Sequence, residues 1–172
     1  MAGKNLKSKS LAACGVLCSL GTVLLLVSGW IGVGTYAGPL LAVWILSPLP
    51  DLYGRKYAIM SWLVVSFLSL LLVSDKELVV VYLFFGWYPV LKKEIDKMPK
   101  LPRLLMKLAV YAVSAGAALL VVLYILGLTE VLEESTTGNI IFFAVGALVF
   151  FLADATLDKM SVLLKKKLSR LL

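Results

Sequence analysis

Residues 73–93 read VSDKELVVVYLFFGWYPVLKK, and where their charges sit relative to a membrane decides the fold. Asp75, Lys76 and Glu77 stand together between two charge-free runs, 57–74 and 78–91. Further charge-free runs cover 10–50, 108–129 and 135–153, and they raise the apolar share of the 172-residue chain to 61%. Soluble domains hold about 45–50%. A hydrocarbon core about 30 Å thick takes roughly 20 helical residues to cross. The run 10–50 is long enough for two crossings and each of the others supplies one. The expectation is an all-α polytopic membrane protein, a six-transmembrane-helix bundle forming a single integral membrane domain over 1–172.

The break inside 10–50 falls at SGWIGVGTYAGP (28–39), where glycines and Pro39 weaken a helix and Trp30 and Tyr36 suit a membrane–water interface. The expected spans are therefore about 10–28, 36–50, 57–74, 78–91, 108–129 and 137–156. Span four is short: its 14 residues cover only about 21 Å as a helix. Charge placement supports it nonetheless. With the N-terminus inside, the inner segments 1–9, 51–56, 92–107 and 154–172 hold every Lys and Arg except Lys76. Basic residues are retained on the cytoplasmic side, so the pattern predicts N-in and C-in. Were 78–91 not to cross, the basic loop 92–107 would land opposite 51–56. Asp75, Lys76 and Glu77 then form the outer turn between spans three and four.

The net charge of +7 calls for no nucleic-acid partner, because the basic residues face anionic inner-leaflet lipid. The tail 157–172 places Leu164, Leu168 and Leu171 on one helical face and Lys166, Lys167 and Arg170 mostly off it. That is a basic amphipathic helix suited to the inner membrane surface or to a partner protein. LAAC (11–14) imitates a lipoprotein cleavage site, but MAGKNLKSKS before it supplies no apolar region. Neither lipidation at Cys14 nor signal cleavage is expected.

Several chemistries lack their residues. The chain has no histidine, and its two cysteines, Cys14 and Cys18, lie on one helix, so no metal site is expected. There is no phosphate-binding G-x-x-x-x-G-K-[ST] and no dinucleotide fingerprint. Neither a cofactor nor catalytic residues are expected, and the chain is not read as an enzyme. Asp154, at the inner end of span six, has Asp158 one turn later. It pairs with Lys159 or with a basic residue of the inner loop, or else serves proton or ion coupling. Small residues four apart mark close helix packing: Ala112 with Gly116 and Ser114 with Ala118 in span five, Gly15 with Ser19 and Cys14 with Cys18 in span one.

GTYAGPLLAVWILSPLPDLYGRKYA (34–58) and SLLLVSDKELVVVYLFFGWYPVLKK (69–93) are similar to stretches of S-component-like proteins of Gram-positive bacteria. With its six spans and length, the chain resembles the substrate-binding S component of an energy-coupling factor (ECF) transporter over about residues 10–95. The resemblance implies a bacterial cell-membrane protein that captures a vitamin-like small molecule from the outer face. It also implies partners, a membrane scaffold subunit and two ATPases. By position, the lid is 29–36 with Trp30 and Tyr36, and the pocket rim includes Asp75, Lys76, Glu77, Glu130 and Asn139, with Tyr82 one turn inside. The family docks on its scaffold through alanines four apart on span one. Here Val16 follows Ala12 and Leu17 follows Ala13, so the alanine pair is missing, and on this resemblance Gly15 with Ser19, or Cys14 with Cys18, would substitute for it. A different class of function stays open: a non-transporting assembly or regulatory protein acting through its basic inner loop and tail.

Overall fold

The structure, a computed structural model, describes residues 2–31, 34–127 and 136–171. These residues form eight helical segments and no strand: α1 (Ala2–Ile31), α2 (Gly34–Leu46), α3 (Leu49–Leu52), α4 (Arg55–Leu72), α5 (Lys76–Phe85), α6 (Tyr88–Ile95), α7 (Lys100–Tyr124) and α8 (Thr136–Leu171). Among them Ser10–Ile31, Arg55–Leu72 and Lys100–Tyr124 are long and apolar enough to cross a membrane, and Ala37–Leu52 is a shorter apolar stretch. On α4, Met60, Leu63, Phe67, Leu70 and Leu71 are exposed at helical spacing. In water such a face would be a liability, whereas lipid is as apolar as leucine. The chain is built as a membrane protein.

Each turn has a local cause. Ser47 donates its hydroxyl to the Trp44 carbonyl (2.7 Å), and Pro48 opens the single turn of α3. Gly54, at φ +92°, lets the chain reverse into α4 at a φ that a side chain would strain. Between α4 and α5 two of the three adjacent charged residues do the capping. Asp75 accepts the Leu78 amide (3.2 Å) as the N-cap of α5, and Lys76 donates to the Leu70 and Val73 carbonyls (2.8 and 2.7 Å).

The stretch read as span four is two helices meeting at Gly86 and Trp87. The Gly86 amide closes α5 onto the Tyr82 carbonyl (2.7 Å), and Pro89 starts α6, where a missing amide costs nothing. Trp62 of α4 lies against this break and donates its indole N–H to the Leu83 carbonyl (3.2 Å). A Cβ on Gly86 would come within 2.8 Å of the Trp62 ring, so the small residue is what admits the indole.

The core lies where α1 packs on α2 and α4, and α2 on α5. Leu25, Ala42, Leu49, Val65, Leu78, Val79 and Tyr82 are fully buried there. Helix α7 packs on α5, and α8 joins through α2 and, more sparingly, α7. Among the described residues, contacts at the helix ends gather at two poles. At one, Gly29 of α1 lies against Val73 and Asp75. At the other, Asp51, the 92–107 segment and Asp154 meet through ion pairs.

Candidate functional site

Four helices that leave a gap between them define a cavity of about 290 Å³. Pro39 and Val43 of α2, Val81 and Phe85 of α5, Ala115 and Ala118 of α7, and Val149 and Phe150 of α8 line it. Ala115 and Ala118 keep α7 thin on this side. Gly146 does the same for α8, because a Cβ there would collide with the Tyr111 hydroxyl. That hydroxyl donates to the Phe143 carbonyl (2.9 Å) and ties α7 to α8 across the cavity wall.

The cavity is polar at one pole and aromatic at the other. Glu77, in the first turn of α5, is the only charged side chain among the described residues that line it. From Glu77 to Phe85 the wall of α5 runs about 12 Å at 1.5 Å per residue. There the cavity ends on Phe85, Tyr111 and Phe150, whose ring centroids lie 5.5–6.1 Å apart. Aromatic pairs at such separations attract beyond their buried area.

Beneath that layer sits a buried charge cluster. Asp154 of α8 accepts Lys107 of α7 at Oδ2 (2.6 Å), and at Oδ1 both Lys92 of α6 and the Tyr88 hydroxyl (2.6 Å for Tyr88). Lys92 also donates to the Asp154 carbonyl (3.1 Å). Asp96 bridges the two lysines, 2.8 Å from Lys107 and 3.4 Å from Lys92, and Asp158 stands 3.3 Å from Lys92. The side chains of Lys92, Lys107 and Asp154 are 8%, 10% and 10% exposed, while Asp158 is largely in the open. Charges this deep are tolerated because each has a partner and a hydrogen bond. Alongside, Lys93 pairs with Asp51 and ties α6 to α3.

The residues singled out in the sequence scatter around this frame. Of the 75–77 trio only Glu77 lines the cavity, while Asp75 and Lys76 are engaged in capping. Tyr82 is fully buried on the core side of α5, away from the cavity lining, and its hydroxyl has no hydrogen-bond partner among the described residues. Trp30 lies in the last turn of α1 and is 78% exposed. Glu130 and the side chains of Tyr36 and Asn139 lie outside the described residues, as do those of the tail from Leu164 onward.

On α1, Cys14 and Cys18 point into the bundle as free thiols, Cys18 facing the Ser61 carbonyl (3.8 Å), while Gly15 and Ser19 lie on the exposed side. In α7, Ser114 and Ala118 are buried and Ala112 is exposed. Asp154 was expected beside Lys159 or a basic residue of the inner loop, and its partners are two such residues, Lys92 and Lys107.

Sequence reasoning missed Tyr88, Lys92, Lys107 and the aromatic floor. A signal was present: Tyr88 and Lys92, Tyr111 and Lys107, and Phe150 and Asp154 are each four apart. An aromatic and a charge one turn apart on three helices share a face at adjacent depths.

No family model, no curated protein and no solved structure matches the chain.

Proposed function

We propose that the chain is a membrane-embedded substrate-capture subunit for uptake of a small, vitamin-like molecule, with the cavity between α2, α5, α7 and α8 as its binding site. One observation carries this reading: a half-open cavity of about 290 Å³ between four helices, apolar along its walls, with Glu77 at one pole and an aromatic layer at the other. Ligand sites are concave and mostly apolar, with few polar groups to fix orientation, and begin at about 300 Å³. The ligand class is a largely apolar molecule with one cationic or hydrogen-bond-donating group directed at Glu77.

On this reading six spans cross a bacterial cell membrane, the Glu77 pole faces outward, and the Asp154 pole faces the cytoplasm with the basic segments. Energy comes from separate scaffold and ATPase subunits of the ECF kind. The use of Asp75 and Lys76 as caps favours the second reading, an assembly or regulatory protein without transport, in which the charged turn only joins two helices.

The test is affinity purification of the tagged chain from its native membrane, with mass spectrometry of both proteins and small molecules. Capture predicts a scaffold–ATPase complex and a retained non-lipid compound. Recovery of neither contradicts it and leaves the second reading.

A further inference from the structure

We infer that the Lys92–Asp154–Lys107 cluster, with the aromatic layer above it, is the closed inner gate of the cavity, and that α8 is the part that moves to open it. The inference rests on the cavity being the binding site, since a gate needs something to release.

Three features place the gate. The cavity stops at Phe85, Tyr111 and Phe150, so any passage to the Asp154 pole must run between these rings. Tyr88 joins ring layer to charge layer. It packs edge-on against Phe150 (centroids 4.8 Å apart) and donates its hydroxyl to Asp154 (2.6 Å). Finally, Asp154 lies one turn beyond Phe150 on α8, and Lys107 one turn from Tyr111 on α7, about 6 Å in each case. The ion pairs therefore clamp α8 directly under the rings that close the cavity.

The identity of the moving part follows from packing. Helices α1, α2, α4 and α5 share the densest core, whereas among the described residues α8 packs mainly on α2 and more sparingly on α7. Its attachments to α6 and α7 include the Asp154 ion pairs, the Phe150 ring contacts and the Tyr111 bond to Phe143. Asp154 is the one carboxylate that binds both buried lysines from α8; Asp96, their other shared partner, belongs to the α6–α7 side. If α8 swings away, Asp96 stays with Lys92 and Lys107, so the lysines are not left unpaired. A latch whose open state keeps a counter-ion can cycle, where a simple buried pair would pay the full cost of an isolated charge. Helix α8 also runs unbroken from the cavity wall past Asp158 to Leu171, so a displacement of the basic tail is carried to Asp154.

The test uses accessibility and needs no ligand. In the full chain with Cys14 and Cys18 replaced by alanine, Ala115→Cys places one thiol on the cavity wall. Sealed vesicles of each orientation are exposed to a membrane-impermeant thiol reagent. The expected result is protection from the Asp154 pole in the parent. Labelling from that pole becomes about ten-fold faster or more with Asp154→Asn, as for an equilibrium moved by an order of magnitude. Tyr88→Phe, which removes one hydrogen bond and no charge, gives an intermediate rate and keeps the test alive should Asp154→Asn misfold. Asp154→Glu restores protection. Equal labelling from the Asp154 pole in the parent, Tyr88→Phe and Asp154→Asn overturns the gate. Failure to find a bound molecule would defeat the capture reading but leave this accessibility result standing, so the two are separable.

Discussion

Lys107 on α7 reaches Asp154 on α8 with 2.6 Å between Nζ and Oδ2, and both side chains are 10% exposed. They lie 47 residues apart in sequence and at one pole of the bundle. Their pairing joins α8 to the helices that face it through buried charges.

Removing one partner of this cluster should be costly. Asp154→Leu leaves Lys92 and Lys107 sharing Asp96 as their counter-ion, so it should destabilise the chain by less than the about 3–5 kcal/mol of an uncompensated buried charge. Lys107→Met leaves Asp154 its bond to Lys92 and should cost less. Thermal unfolding in detergent ranks the two, and the double variant should be less destabilised than the sum of the singles. Additive losses would show that the pair is not coupled.

The glycine across from Tyr111 gives a second prediction. Gly146→Ala pushes a methyl group into the tyrosine hydroxyl and breaks its bond to the Phe143 carbonyl. Overpacking of this kind costs about 1–3 kcal/mol. Adding Tyr111→Phe removes the obstruction, so the double variant should recover much of the lost melting temperature.

Tyr82 should behave as a core residue. Its ring is fully buried, and its hydroxyl finds no partner among the described residues. An unsatisfied buried hydroxyl costs about 1–3 kcal/mol. Tyr82→Phe should therefore raise the melting temperature and leave ligand retention unchanged. A fall in stability would mean that the hydroxyl is satisfied in the membrane.

Within the charged turn, effects should divide by position. Asp75→Ala removes the cap on Leu78 and should cost about 1 kcal/mol without altering ligand retention. Glu77→Gln should weaken retention of a cationic ligand more than Asp75→Ala does, because the amide carries no charge to pair with it. Retention measured by mass spectrometry and melting measured in the same preparation separate the two.

The helical class was legible in the charge-free runs, because a bilayer demands apolar length and nothing else about order. Asp154 stood out for the same reason: a carboxylate directly following FFLA at the end of a long apolar run must find a partner. Which partner was not legible, since Lys92, Lys93, Lys97, Lys100, Arg103 and Lys107 all lie in one loop and only helix phase selects two of them. The break at Gly86 was hidden because a run without charge was read as one helix, and GWYP carries no charge to mark the turn that a glycine and a proline permit. The cavity was the least visible feature. It depends on Ala115, Ala118 and Gly146 being small where Val43 and Val81 face them from other helices, a coincidence of four rotations that no single segment encodes.

The central claim is that the cavity holds a small molecule, and native mass spectrometry of the chain purified from its own membrane tests it most directly. The comparison is with Ala118→Phe, which fills the space between α5 and α7. The account predicts a bound non-lipid compound on the parent, lost from an Ala118→Phe variant that still elutes as a folded protein. A parent that carries only lipid, or a compound retained equally by both, would contradict it.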